Sequence, residues 1–262
     1  ILSGHVWTRR CTSHAINAMN KRRKQLLREL GLSPIWHLKS DTSEQNEISA
    51  SSLTEIKGSI LPPADVTKDT QDSQPIHLMN WDQLKSAVSG CMSCPLSQTR
   101  THTVFGVGDE NANWLFVGEG PGAREDAIGE PFVGQAGKLL DQMLAAIRLK
   151  RGDQVYITNI VKCRPPNNRN PSSGEARQCE PYLTRQIELI NPKLIVALGK
   201  VAAQNLLGSE DSISNLRGKI HHYSGIPLIV TYHPAYLLRA LPEKAKAWKD
   251  LCFAQSTMQS LR

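Results

Sequence analysis

Residues 114–137 read Trp114-Leu-Phe-Val-Gly-Glu-Gly-Pro-Gly-Ala-Arg-Glu-Asp-Ala-Ile-Gly-Glu-Pro-Phe-Val-Gly-Gln-Ala-Gly137, and this stretch decides the fold. Positions 114–117 form a continuous apolar run, the pattern of a strand buried on both faces. The run ends in Gly118-Glu-Gly-Pro-Gly122, which cannot continue a strand. Glycines there let the backbone turn and let a ligand approach the main chain closely. Carboxylates follow at once, Glu119, Glu125 and Asp126, and Phe132 stands alone in a polar, glycine-rich loop. From Gly137 onward apolar residues recur at helical spacing. Strand, glycine turn, loop and helix is how an open α/β sheet builds a ligand crevice.

Three more short apolar or β-branched runs lie downstream, at 155–161, 194–198 and 228–232. Helical patterns separate them at 137–149, 174–190 and 200–207, and another fills the C-terminal end. Strands alternating with helices imply a parallel α/β sheet with helices on both sides. A helix capped at Asn80 precedes the first strand. In such a sheet the ligand lies at the carboxyl ends of the strands. The residues placed there are Glu119, Gly120, Asn159, Lys162, Arg164, Gly199, Lys200, His233 and Tyr236. An asparagine offers two donors and an acceptor together, which matches a flat heterocycle edge with adjacent N–H and C=O groups. Phe132 suits stacking on a ring face, and His233 can donate to an oxygen that gains charge as a ring departs. Each also has a plain structural reading, as turn cap, core residue or buried histidine. Their joint arrival at strand ends favours function.

Charge divides the chain. Residues 1–40 hold eight Lys/Arg and one acid, a net of +7, and read as a basic arm. Residues 41–90 carry a net of −5, and 91–262 a net of +5. Residues 41–77 are rich in Ser, Thr, Asp, Gln and Pro, the composition of a disordered linker. The working domain is expected at 78–262. A basic arm and a mildly basic domain suit a polyanion. No apolar run is long enough to cross a bilayer, and no secretory pattern is present. An intracellular setting with reduced thiols is therefore expected. The chain starts at Ile1, and Met19 begins a more ordinary N-terminus. No heptad run argues for an oligomer, so a monomer is expected.

Six cysteines are present: Cys11, Cys91, Cys94, Cys163, Cys179 and Cys252. Cys91-x-x-Cys94 outside a secretory context reads as metal-binding or redox-active. Cys163 and Cys179 flank a loop too polar to pack by itself. Four thiolates could close it around a metal, and spacing alone leaves zinc and an iron–sulfur cluster both open. Cys252 falls in a helical pattern and reads as a small buried hydrophobe.

Three motifs together resemble one family: Gly118-Glu-Gly-Pro-Gly-x-x-Glu-Asp-x-x-Gly-x-Pro-Phe-Val-Gly-x-Ala-Gly137, Thr158-Asn-Ile-Val-Lys-Cys-Arg-Pro-Pro-x-Asn-Arg-x-Pro171, and Tyr232-His-Pro-Ala-Tyr-Leu-Leu-Arg239. The chain from 78 to 262 resembles the family 4 uracil-DNA glycosylases, the iron–sulfur type related to phage DNA polymerase sequences. The resemblance implies a three-layer α/β/α sandwich on a central parallel four-stranded sheet. It implies a 4Fe–4S cluster on Cys91, Cys94, Cys163 and Cys179. It implies hydrolysis of the N-glycosidic bond of deoxyuridine in single- or double-stranded DNA, leaving an abasic site for repair. The extruded base would lie in the crevice. Phe132 would stack on uracil, Asn159 would bind its polar edge, and the backbone at Glu119 and Gly120 would contact the ring. His233 would stabilise the departing anion. Glu125 would meet the C5 edge and help reject thymine.

The better-known family 1 enzymes place an aspartate where this chain has Gly120. Glu119 and Glu125, with Asp126 behind them, are then the candidates for orienting water and offsetting a sugar cation. Leu237 stands where relatives insert a wedge into the emptied base stack. Lys162, Arg164, Arg169 and Arg239 could hold phosphates. A covalent-trapping subgroup carries Gln after the first-motif Glu and a histidine-bearing insertion, whereas this chain has Gly120 and no such insertion between Ile213 and Ser224. Turnover without lyase chemistry is expected. Two competing readings are excision of hypoxanthine or xanthine, and a non-catalytic iron–sulfur DNA-binding module. The cluster is expected to be structural.

Overall fold

The computed structural model describes residues 74–261. The basic arm at 1–40, Cys11 and nearly all of the linker at 41–77 lie outside the described residues. A 3₁₀ turn at Ile76–Leu78 opens the described part, and Ile76 packs on the core.

Helix α1 (Trp81–Ser89) starts at the expected cap. Asn80 Oδ1 accepts from the Gln83 N–H at 2.9 Å, and Gln83 Oε1 accepts from the Asn80 N–H at 2.9 Å. This reciprocal pair satisfies two donors that the helix start leaves free. The chain then runs through β1 (Val107–Gly108), β2 (Trp114–Gly118), α2 (Ala123–Ile128), α3 (Gln135–Ala146) and β3 (Val155–Asn159). It continues through α4 (Ser173–Ile190), β4 (Leu194–Leu198), α5 (Lys200–Leu207), α6 (Ile213–Leu216), β5 (His221–Tyr223) and β6 (Ile226–Thr231). Helices α7 (Pro234–Leu237) and α8 (Lys244–Ser260) close it.

The sheet order is β1-β3-β2-β4-β6-β5. The four expected strands form its parallel centre. The sheet has six strands rather than four, because β1 and β5 add antiparallel edges. These edges left no apolar signal: β1 is two residues with a glycine, and β5 is His-His-Tyr.

Alternation along each strand explains the layers, since neighbouring side chains point to opposite faces. Leu115, Val117, Tyr156, Ile195, Ala197, Leu228 and Val230 join a core with residues of α1, α4 and α5. Trp114, Phe116, Val155, Ile157, Leu194, Val196 and Ile229 join a second core with residues of α3 and α8. Two cores on two faces make the α/β/α sandwich. Each fully buried Leu, Ile or Phe contributes about 1.5–3 kcal/mol, which is why every residue of β2, β3 and β4 is buried.

Register places the chemistry. Gly118 and Asn159 are Cα partners at the ends of β2 and β3. Leu198 pairs with Thr231 at the ends of β4 and β6. The turns after all four central strands therefore open on one edge.

Candidate active site

A cleft of about 430 Å³ lies at those strand ends. Glu119, Gly120, Glu125, Phe132, Asn159, Arg169, His233, Tyr236 and Arg239 are among its lining residues. A larger cavity of about 480 Å³ lies against α4 and α5 and is lined by none of the candidate catalytic or base-binding side chains.

Two glycines let three of the candidate residues approach closely. A side chain at Gly118 would strike Asn159 Oδ1 and would come within 2.6 Å of Phe132 Cζ. At Gly199, φ is +94° and a Cβ would sit 2.8 Å from His233 Cβ. The ring centroids of Phe132 and His233 are 5.6 Å apart, tilted by 31°. Gly120 has a similar constraint, because a Cβ there would lie 2.8 Å from Val161 Cγ2. That contact leaves little room for an aspartate at this position.

Asn159 is 2% exposed, and its Oδ1 has no hydrogen-bond partner. A buried acceptor without a donor costs about 1–3 kcal/mol, so this side chain carries an unmet hydrogen-bonding demand. His233 Nδ1 accepts from the Ala235 N–H at 3.1 Å. Burial, with the nearby Arg239 charge adding, pushes the His233 pKa from 6.5 down to about 4. The ring is thus neutral, and with Nδ1 accepting, its proton sits on Nε2 as a donor.

Among the carboxylates, Glu119 lines the cleft and burial raises its pKa above the ordinary range. Glu125 also lines it, but its Oε1 accepts from the Val133 and Gly134 N–H groups, each at 2.9 Å. It thereby caps α3, whose own N-cap Gly134 has no side chain. Asp126 is 3% exposed and accepts from the Thr101 and His102 N–H groups, which removes it from the water-orienting set.

Several expected DNA contacts are placed otherwise. Lys162 is 1% exposed, and its Nζ donates to Thr158 Oγ1 and Gln186 Oε1 at 2.6 Å and to the Asn159 carbonyl at 3.0 Å. A lysine so enclosed cannot hold a phosphate. Leu237 is 1% exposed and belongs to the core under α7, so it cannot act as a wedge. Its exposed neighbours are Tyr236 and Leu238, which four-residue counting from His233 could not separate from it. Arg169 lines the cleft but pairs with the buried Glu175 through both carboxylate oxygens, at 2.7 and 2.8 Å. Arg164 donates to Asn168 Oδ1 at 2.7 Å, and Arg239 is exposed at the rim.

Cys91, Cys94, Cys163 and Cys179 line one small cavity with Val88, Lys162 and Tyr182. Arg100 Nη1 donates to Cys163 Sγ at 3.1 Å, and the Lys162 N–H donates to Cys179 Sγ at 3.3 Å. Burial pushes the Cys179 thiol up to about 11, so positive charge is needed to hold a thiolate there. Among the described residues, no three His, Cys, Asp or Glu side chains converge tightly enough to hold a metal ion. Cys252 is exposed on α8 rather than buried, because the helix turns that position to solvent.

Residues 105–253 match the family model for the uracil DNA glycosylase superfamily. A type-4 uracil-DNA glycosylase of Archaeoglobus fulgidus is 48% identical over 165 residues, covering 60% of this chain and 82% of that protein. A type-4 uracil-DNA glycosylase of Thermotoga maritima is 49% identical over 154 residues, covering 58% of this chain and 80% of that protein. A DNA polymerase of Bacillus phage SP01 is 31% identical over 154 residues, which are 59% of this chain and 17% of the polymerase. The chain belongs to the uracil DNA glycosylase superfamily and, within it, to the type-4 group.

Proposed function

We propose that this protein excises uracil from DNA by hydrolysing its N-glycosidic bond, as its type-4 relatives are named for doing. The observation that carries the reading is one cleft lined by Phe132, His233 and Asn159, the last with a buried Oδ1 that has no hydrogen-bond partner. Uracil presents an N–H beside a C=O, and one asparagine amide answers both. Phe132 stacks on the extruded base. His233 Nε2–H donates to the uracil oxygen that gains charge as the C1′–N1 bond breaks. Its neutrality suits that task, since a neutral donor strengthens its bond as the charge develops. Glu119 orients the water whose oxygen adds to C1′, and its proton passes to solvent. Uracil leaves as an anion and is protonated from water. Glu125 acts chiefly by holding the loop that carries Phe132, and its place on the cleft wall still lets it crowd a 5-methyl group.

The four cysteines fit a 4Fe–4S cluster better than a single ion. Four thiols surround one cavity without converging on a point, and two sulfurs already accept N–H donors, as cluster ligands do. Held by these four residues, a cluster would cross-link the Cys91–Cys94 turn to the loop at Cys163 and to α4 at Cys179, and no step of the hydrolysis passes through it. Thiols that must stay reduced suit an intracellular setting. Arg164, Arg239 and the exposed face at Tyr236 and Leu238 are the surface offered to DNA. The arm at 1–40 adds non-specific affinity for the polyanion.

The test is a labelled oligonucleotide with one uracil, incubated with the iron- and sulfide-assayed protein and heated in alkali, beside a thymine control. Scission at uracil alone supports the reading. A folded, cluster-bearing protein that leaves uracil intact overturns it, and hypoxanthine and xanthine substrates are then the next arm.

A further inference from the structure

Phe132 holds a backbone conformation that a bulky residue rarely takes, with φ at +55°. Such a residue persists only where its surroundings over-determine it. Glu125 fixes the amides that follow it. The carbonyls are fixed from elsewhere: Arg151 Nη1 donates to the Pro131 carbonyl at 2.9 Å, and Nη2 donates to the Phe132 carbonyl at 2.9 Å. Asp141 on α3 steadies the guanidinium, accepting through Oδ1 from Nε at 3.0 Å and from Nη2 at 2.9 Å. Gly137 completes the seat, because any Cβ there would overlap the Phe132 carbonyl.

We propose that Arg151, backed by Asp141, is a positioning residue that locks the Phe132 ring in place for the extruded base. This rests on the reading of Phe132 as the stacking surface. The planar fork explains why arginine stands here: two adjacent carbonyls and a carboxylate are met by one rigid group, which a lysine ammonium cannot match. Half-exposed Asp141 and Arg151, with side-chain exposures of 46% and 24%, add little to stability as a surface pair. Their geometry acts instead on the loop.

A double-mutant cycle tests this, with single-turnover excision as the readout. Arg151→Met in the full chain should slow excision on the order of tenfold or more, while DNA affinity and the cluster's visible absorbance stay at wild-type values. Arg151→Lys should recover part of the rate. In a Phe132→Ala background, Arg151→Met should have no further effect. An unchanged rate for Arg151→Met, or an equal loss in both backgrounds, overturns the proposal. If Phe132→Ala itself is as fast as wild type, the stacking reading falls and takes this proposal with it. Should Arg151→Met not fold, Asp141→Asn carries the same cycle with no change in side-chain size.

Discussion

Lys162 Nζ donates to the backbone carbonyl of Asn159 at 3.0 Å, which commits inside the fold a lysine that the sequence places beside DNA. The same ammonium joins Thr158 on β3 to Gln186 on α4. It therefore braces the strand end that presents Asn159, and its own backbone N–H reaches Cys179.

Lys162→Met should destabilise the protein by roughly 2–4 kcal/mol, because Gln186 Oε1 and the Asn159 carbonyl each lose a buried donor. Denaturant melts of variant and wild type measure this. The salt dependence of DNA binding should not change, since removing a true phosphate contact would lower the log–log slope by about one unit. A slope reduced by that amount would return Lys162 to the DNA.

Asn159→Ala should cut kcat/KM on the order of a hundredfold, as loss of a positioned hydrogen-bonding group at a reacting ring does. Its stability should change far less than its activity, because the side chain's buried Oδ1 makes no bond in the free protein. Melting temperature and excision rate measured on one preparation would separate the two. A large fall in both would mean that Asn159 is structural.

The His233 ring is expected to stay neutral throughout the working range, with its pKa pushed from 6.5 to about 4. Its contribution to stability is complete above pH 6.5, where folded and unfolded rings are both neutral. It is lost as pH falls from 6.5 towards 4, where only the unfolded ring takes up a proton. The excision rate should therefore show no decline as pH rises through 6.5. Its acid limb should instead follow Glu119, whose raised pKa moves the limb above the ordinary carboxylate range and whose replacement by Gln should remove it. A rate that falls on raising pH through 6.5 would show that an imidazolium is the active form.

Leu237→Ala should cost about 2–5 kcal/mol of stability, the usual range for a buried leucine. Leu238→Ala should cost less than about 0.5 kcal/mol, since its side chain is exposed. On excision the order should reverse, with Leu238→Ala slowing duplex substrate more than single-stranded substrate, where no stack has to be filled. Equal rates on both substrates would remove Leu238 from the DNA surface.

The parallel centre of the sheet was legible because burial on both faces demands unbroken apolar runs, and β2, β3, β4 and β6 supply them. Phe132, Asn159 and His233 were legible as a group because strand ends are where such sheets bind ligands. The edge strands were hidden, since half-exposed strands of two and three residues leave no pattern. Arg151 was equally hidden: its partners are backbone carbonyls nineteen and twenty residues away, and carbonyls carry no sequence signature.

Sequence by itself determined the order of the four central strands and the main helices between them, the glycine turns and the residue types suited to a flat, polar ring, because apolar periodicity and backbone permissiveness are local properties. Tertiary structure alone decided which neighbour faces water and which faces the core. Lys162 and Leu237 are buried while Tyr236 and Leu238 are exposed, because burial depends on what packs against a position. It also decided that Glu125 holds a loop and that Arg151 reaches Phe132, since hydrogen bonds between distant segments exist only once the chain has folded.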